Sequence, residues 1–150
     1  MDVEFAAGAE VRWRMQYMLD TNICIHLIQQ QPPHLIDRLA KMTYGEAVLS
    51  SVVLAELQYG VERHAELEDR TQAGAALNAL LTLFPVLSFD ETAATSYGIP
   101  RAALPDRRRD ALDRLIAAHA ISRRLVLVTN NEDDFVGYPA LVIENWVRAH

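Results

Sequence analysis

The chain has 150 residues, 51% of them hydrophobic and 23% charged, with a formal net charge of −6. That length and apolar content suit one domain with a real core, no apolar run is long enough to span a bilayer, and the single cysteine, Cys24, excludes an intrachain disulfide and a multi-cysteine zinc site. The acidic balance argues only weakly against a nucleic-acid partner, because seven arginines (Arg101, Arg107, Arg108, Arg109, Arg114, Arg123 and Arg124) crowd one short span.

Residues 1–14 show neither clean periodicity nor a turn signal, and Met15 and Met18 both serve as plausible starts. They read as a disordered or non-native extension ahead of a single domain over 15–150. The extension lacks the apolar stretch of a signal peptide, so the cytoplasm is the expected compartment and no membrane partner is expected. A first strand over about 15–20 stops abruptly on Asp20-Thr21-Asn22. Thr21 and Asn22 are suitable caps for a helix over about 22–30, which the prolines at 32 and 33 follow. A second helix spans about 34–42. Ala47-Val48-Leu49 is a second strand, followed by helices over 52–64 and 66–83. A third strand covers 86–89, and the helix expected over 91–103 should kink or end early at Pro100. A helix over about 109–122 then leads to the strand Leu125–Val128, which stops on Thr129-Asn130-Asn131, and Leu141-Val142-Ile143 forms the last strand. Short apolar strands alternating with helices imply an α/β fold with a central parallel sheet covered on both faces.

Several acids are poorly placed for a structural role. Asp20 stands at a strand's carboxyl end, where open α/β sheets collect ligands. Glu56 and Asp113 fall on or beside apolar stripes that should face the sheet, and a buried carboxylate is costly unless paired or bound to a cation. Asp133 or Asp134 follows the fourth strand as Asp20 follows the first. If strands one and four are neighbours, Asp20 and the 129–134 loop share one edge, which Glu56 and Asp113 can join. Four converging carboxylates repel unless a hard divalent ion such as Mg²⁺ or Mn²⁺ takes their oxygens. Such a site activates water and stabilises charge on a phosphoryl oxygen. Beside an arginine cluster it reads as phosphodiester hydrolysis, although salt bridges to those arginines would explain each acid alone equally well.

In order and spacing, YMLDTNICI (17–25), LSSVVLAELQYGVE (49–62), VLSFDETAA (86–94), LDRLIAAHA (112–120), LVTNNEDDF (127–135) and LVIENW (141–146) resemble the PIN-domain ribonucleases, specifically VapC-type toxins of toxin–antitoxin pairs. The resemblance implies an α/β/α sandwich and an endoribonuclease dependent on Mg²⁺ or Mn²⁺, with Asp20, Glu56, Asp113 and Asp134 as catalytic and metal-binding acids. Thr21, Asn22, Thr129 and Asn130 would support the site. Apart from the resemblance, the cluster Arg107, Arg108 and Arg109, with Arg114, is expected to guide the RNA backbone. A small VapB-type antitoxin and a second copy of the chain are the implied partners. The segment from Gly98 to Asp113 is shorter than usual in that family and has arginines where a glycine customarily precedes the Asp.

Other residues have plainer explanations. His119 lies too far round its helix from Asp113 to share an ion easily and reads as structural; Cys24 reads as a small core residue. The five histidines form no zinc motif. Rival assignments are an aspartyl-phosphate phosphatase, opposed by Asn22 where a second acid is needed, and a receiver-like module, which lacks its late lysine. A third is an inactive PIN fold serving as a binding module.

Overall fold

The computed structural model describes residues 14–103 and 111–148. The extension expected over 1–14 therefore lies, apart from Arg14, outside the described residues. Strands β1 (Tyr17–Leu19), β2 (Ala47–Ser50), β3 (Val86–Leu87), β4 (Val126–Val128) and β5 (Ile143–Glu144) form one sheet in the order β3-β2-β1-β4-β5. Every neighbouring pair is parallel. The crossovers carry helices α1 (Thr21–Ile28), α2 (Pro33–Ala40), α3 (Ser51–Glu62), α4 (Leu67–Leu83), α5 (Glu91–Ser96), α6 (Gly98–Ala103) and α7 (Ala111–Arg123).

Handedness sorts these helices into layers. The steps from β1 to β2 to β3 run one way along the sheet, so right-handed crossovers put α1–α4 on one face. The return from β3 to β4 passes back over β2 and β1, which puts α5–α7 on the other. Packing agrees, because α1, α3 and α4 touch one another, as do α5, α6 and α7. The three-layer arrangement matches the expected fold. With both faces covered, β2 is buried along its length, and Met18, Leu19, Val48, Leu49, Leu127 and Val128 are fully enclosed. Continuous rather than alternating apolar runs follow from that double burial.

Two local boundaries differ from expectation, and one expected interruption is present. The first helix begins at Thr21 and its cap is Asp20 itself, not Thr21 or Asn22. The helix expected over 91–103 is divided into α5 and α6: Pro100 has no N–H for the carbonyl of Ser96, where α5 stops. The last strand starts at Ile143 because the chain is still turning before it, with Ala140 at φ 63° and the Leu141 N–H donating to Tyr138 O at 3.3 Å.

At the carboxyl end of β2, Ser50 Oγ caps α3 by accepting from Val52 N at 3.1 Å, and it also lies 2.8 Å from Nδ1 of His119. His119 is fully buried in α7, so this contact clamps α7 against the start of α3. Burial holds its imidazole below the ordinary histidine pKa, Arg123 adds to that, and Asp90 partly opposes it. A base whose folded pKa is depressed stabilises the fold fully above its unfolded pKa, and that stability is lost as the pH falls through it. Urea denaturation at pH 7.5 and 5.5 should therefore show the parent losing more stability on acidification than His119→Gln, which offers Ser50 a hydrogen-bonding group without titrating. An equal loss in both would exclude His119 as the acid-sensitive group.

Candidate active site

β1 lies between β2 and β4, so the carboxyl end of β1 is the point where the chain's path across the sheet reverses. Asp20 is the first residue beyond it. Its backbone N–H still donates to Val128 O at 2.9 Å, and its extended conformation turns the carboxylate back over the start of α1. Only 3% of the residue is exposed. Oδ1 accepts from Thr21 N at 2.8 Å, while Oδ2 accepts from Asn22 Nδ2 at 2.9 Å and Thr129 Oγ1 at 2.8 Å.

The neighbouring side chains are oriented in turn. Asn22 Oδ1 accepts from Asn130 N at 2.9 Å, and Asn22 Nδ2 also lies 3.4 Å from Thr129 Oγ1. Thr129 Oγ1 accepts from Asn131 N at 2.9 Å. Two strand ends thus share one polar network: the turn after β1 grips the turn after β4. On the other side, the Thr21 hydroxyl donates to Glu56 Oε1 at 2.5 Å, which brings the half-buried α3 carboxylate to Asp20. Burial raises the Asp20 carboxyl above the ordinary range. Hydrogen bonds from Thr129 and Thr21 lower it, the Glu56 charge raises it again, and the Asn22 hydrogen bond lowers it. Among the described residues no arginine or lysine forms a salt bridge with Asp20.

The other two acids occupy adjoining elements. Asp113 is half-buried in the first turn of α7, an end that favours negative charge. Asp134 is exposed in a 3-10 turn over Glu132–Asp134, as is Asp133. Among the described residues no three side chains of His, Cys, Asp or Glu stand close enough to hold one ion. The structure joins Asp20 with Glu56 through Thr21, and Asp113 and Asp134 stand on α7 and the turn after β4. The chemistry of the pair still fits a hard cation. Its donors are oxygen only, and Mg²⁺ typically needs just one or two carboxylates because it keeps several waters.

Arg107, Arg108 and Arg109 lie outside the described residues. Arg114 does not match its expected role: at 2% exposure it is part of the interior rather than a surface contact for RNA. The next residue of consequence, Asn145, had no role assigned from the sequence, although β5 ends on a polar residue as β1 and β4 do. Its amide donates to Asn130 Oδ1 at 3.1 Å and to Glu132 Oε2 at 2.9 Å.

A carboxyl whose folded pKa is raised stabilises the fold fully below its unfolded pKa, and that stability is lost as the pH rises through the folded value. Asp20→Asn removes this loss. In EDTA at pH 7 the variant should melt at or above the parent, and the gap should close as the pH approaches 4. Destabilisation of the variant at pH 7, on the scale of about 3–5 kcal/mol for breaking a buried ion pair, would mean that Asp20 has a cationic partner.

Comparison with known proteins gives the same outline. The PIN-domain family profile matches residues 17–140. Ribonuclease VapC2 of Rickettsia felis is 37% identical over 135 residues, covering 88% of this chain and 98% of that protein. The tRNA(fMet)-specific endonuclease VapC of Shigella flexneri is 37% identical over 134 residues, with the same two coverages. Among solved structures, DNA-bound VapBC from Salmonella typhimurium superposes with a TM-score of 0.79 at 36% identity, covering 89% of this chain and 99% of that one. VapBC2 from Rickettsia felis, bound to a DNA fragment from its promoter, gives 0.73 at 34% identity, covering 88% and 99%. On that family match, and on this identity along nearly the whole length of its relatives, the chain belongs to the PIN-domain family, among the VapC ribonucleases.

Proposed function

We propose that the chain is the endoribonuclease toxin of a toxin–antitoxin pair, hydrolysing RNA phosphodiester bonds in the cytoplasm with Mg²⁺ or Mn²⁺. The observation that carries this reading is the buried Asp20 carboxylate at the switch point of the sheet, linked through the Thr21 hydroxyl to Glu56. Asp20 and Glu56 would hold the ion, and Asp113 and Asp134 would extend the acidic set from α7 and the turn after β4. Thr21, Asn22, Thr129 and Asn130 keep the Asp20 oxygens in a fixed orientation, so that little reorganisation remains when substrate arrives. A divalent ion held there supplies positive charge for the scissile phosphate and lowers the pKa of water. Arg107, Arg108 and Arg109 supply backbone contacts to the RNA. The named specificity of the Shigella relative makes initiator tRNA the first substrate to examine.

Incubation of the purified chain with RNA should give cleavage that needs Mg²⁺ or Mn²⁺, stops in EDTA, and leaves 5′-phosphate and 3′-hydroxyl ends. Replacing Asp20 or Glu56 with the amide should lower kcat by about 100-fold or more, on the scale of losing one preorganised charge-stabilising group. Products ending in 2′,3′-cyclic phosphate would make the ribose hydroxyl the nucleophile and overturn the reading.

The antitoxin is proposed to cover an apolar groove of about 770 Å³ between α1, α2 and α4, whose lining includes Leu27, Ile28, Ile36, Tyr44 and Leu83. Leu83 is 60% exposed and Tyr44 54%, and an exposed apolar patch of this kind marks a protein contact. The antitoxin's tail would bring an Arg or Lys to the carboxylates, and a second copy of the chain completes the assembly as a homodimer. Leu83→Glu, on an exposed helix end, should leave the melting temperature nearly unchanged and abolish copurification of the small protein encoded beside this chain. Undiminished copurification would place the antitoxin elsewhere.

A further inference from the structure

The segment Glu144-Asn145-Trp146 continues β5 past the sheet edge and has no part in the chemistry described so far. Its side chains alternate, as in any extended strand. Glu144 accepts from Trp146 Nε1 at 2.8 Å, and Arg38 of α2 lies 3.6 Å from Glu144 and 3.9 Å above the Trp146 ring. Tyr17 of β1 packs its edge on the same indole at 4.7 Å. These contacts fix how β5 is rotated about its own axis. Asn145, between them, is turned the other way, toward the polar network.

There its two ends have different tasks. Oδ1 accepts from Val147 N at 2.9 Å and Arg148 N at 3.3 Å, which closes a turn at the chain's end. Nδ2 donates to Asn130 Oδ1 and to Glu132 Oε2. The Glu132 oxygen also pairs with Arg148 at 2.5 Å. Asn130, gripped by its side chain, offers its backbone N–H to Asn22 Oδ1. That bond selects which end of the Asn22 amide faces which neighbour, and it leaves Nδ2 pointing at Asp20 Oδ2.

We propose that Asn145 is a positioning residue for the Asp20 carboxylate, acting through Asn130 and Asn22. It touches neither ion nor substrate. Its amide fixes the turn after β4, and that turn fixes the orientation of the catalytic oxygen two hydrogen bonds away. The kinetic part of the idea rests on the proposed ribonuclease function; the structural part does not.

Asn145→Ser separates the two tasks, because a serine hydroxyl can still accept from the N–H two residues on but cannot reach Asn130. Hydrogen exchange followed by NMR should show the Asn130 amide exchanging about 10-fold faster in this variant, with the Val147 amide unchanged. In RNA cleavage, kcat should fall about 10–100-fold, the range for removing a residue that orients a metal ligand, with KM within about 2-fold. The rise in melting temperature on adding Mn²⁺ should shrink. Asn130→Ala, which keeps the backbone donor but removes the acceptor for Asn145, should reproduce these effects, and the double variant should be no worse than either single one. Unchanged Asn130 exchange, parent-like kcat, a loss confined to KM, or additive losses in the double variant would each overturn the proposal. Absence of metal-dependent cleavage by the parent would instead sink the ribonuclease reading, leaving the exchange measurement to decide the role of Asn145.

Discussion

A carboxylate withdrawn from water at the end of the central strand is costly, and much of the sheet edge is arranged around that cost. Three donors converge on Asp20, one from the backbone of α1, one from an asparagine side chain and one from the threonine after β4. Their combined effect does not cancel the burial, because the carboxyl still lies above the ordinary range. The network therefore orients the group without neutralising it. A salt bridge would do the opposite, satisfying the charge and removing its affinity for anything else. An oriented anion at a switch point is the kind of group that a hard cation can bind.

The same edge explains why α3 and α7 are fixed so firmly at their positions. Glu56 reaches the Thr21 hydroxyl beside Asp20 because α3 begins immediately after β2, capped by Ser50, and Ser50 is itself held against His119 of α7. A fully buried histidine bound to the capping serine ties the helix that carries Asp113 to the helix that carries Glu56. The acids come from separate crossovers, yet their spacing depends on contacts made beneath them in the core.

Much of this could be read in the chain beforehand. The apolar runs that stop on Asp-Thr-Asn and Thr-Asn-Asn gave both strands and the turns that meet, because a parallel strand buried on two faces has to end where polar residues begin. Their adjacency is only a supposition at the level of sequence, and β1 does pair with β4. Helix phase was less legible. Periodicity placed Glu56 on an inward stripe but could not show that a threonine hydroxyl would meet it. Charge patterning marks Arg114 as solvated, whereas this α7 residue is buried. The role of Asn145 was invisible for a related reason: its partners, Asn130 and Glu132, lie across a turn whose shape no local pattern encodes.

Asp20 and Thr129 are joined although 109 positions separate them, and Asn22 and Asn130 lie 108 apart. Closing so long a span is among the slower events in folding, since loop entropy is lost before the distant contact rewards it. During synthesis the first carboxylate leaves the ribosome long before its partners do, and it stays hydrated and unoriented until β4 inserts beside β1. The polar network around Asp20 is thus complete only when most of the polypeptide has been made.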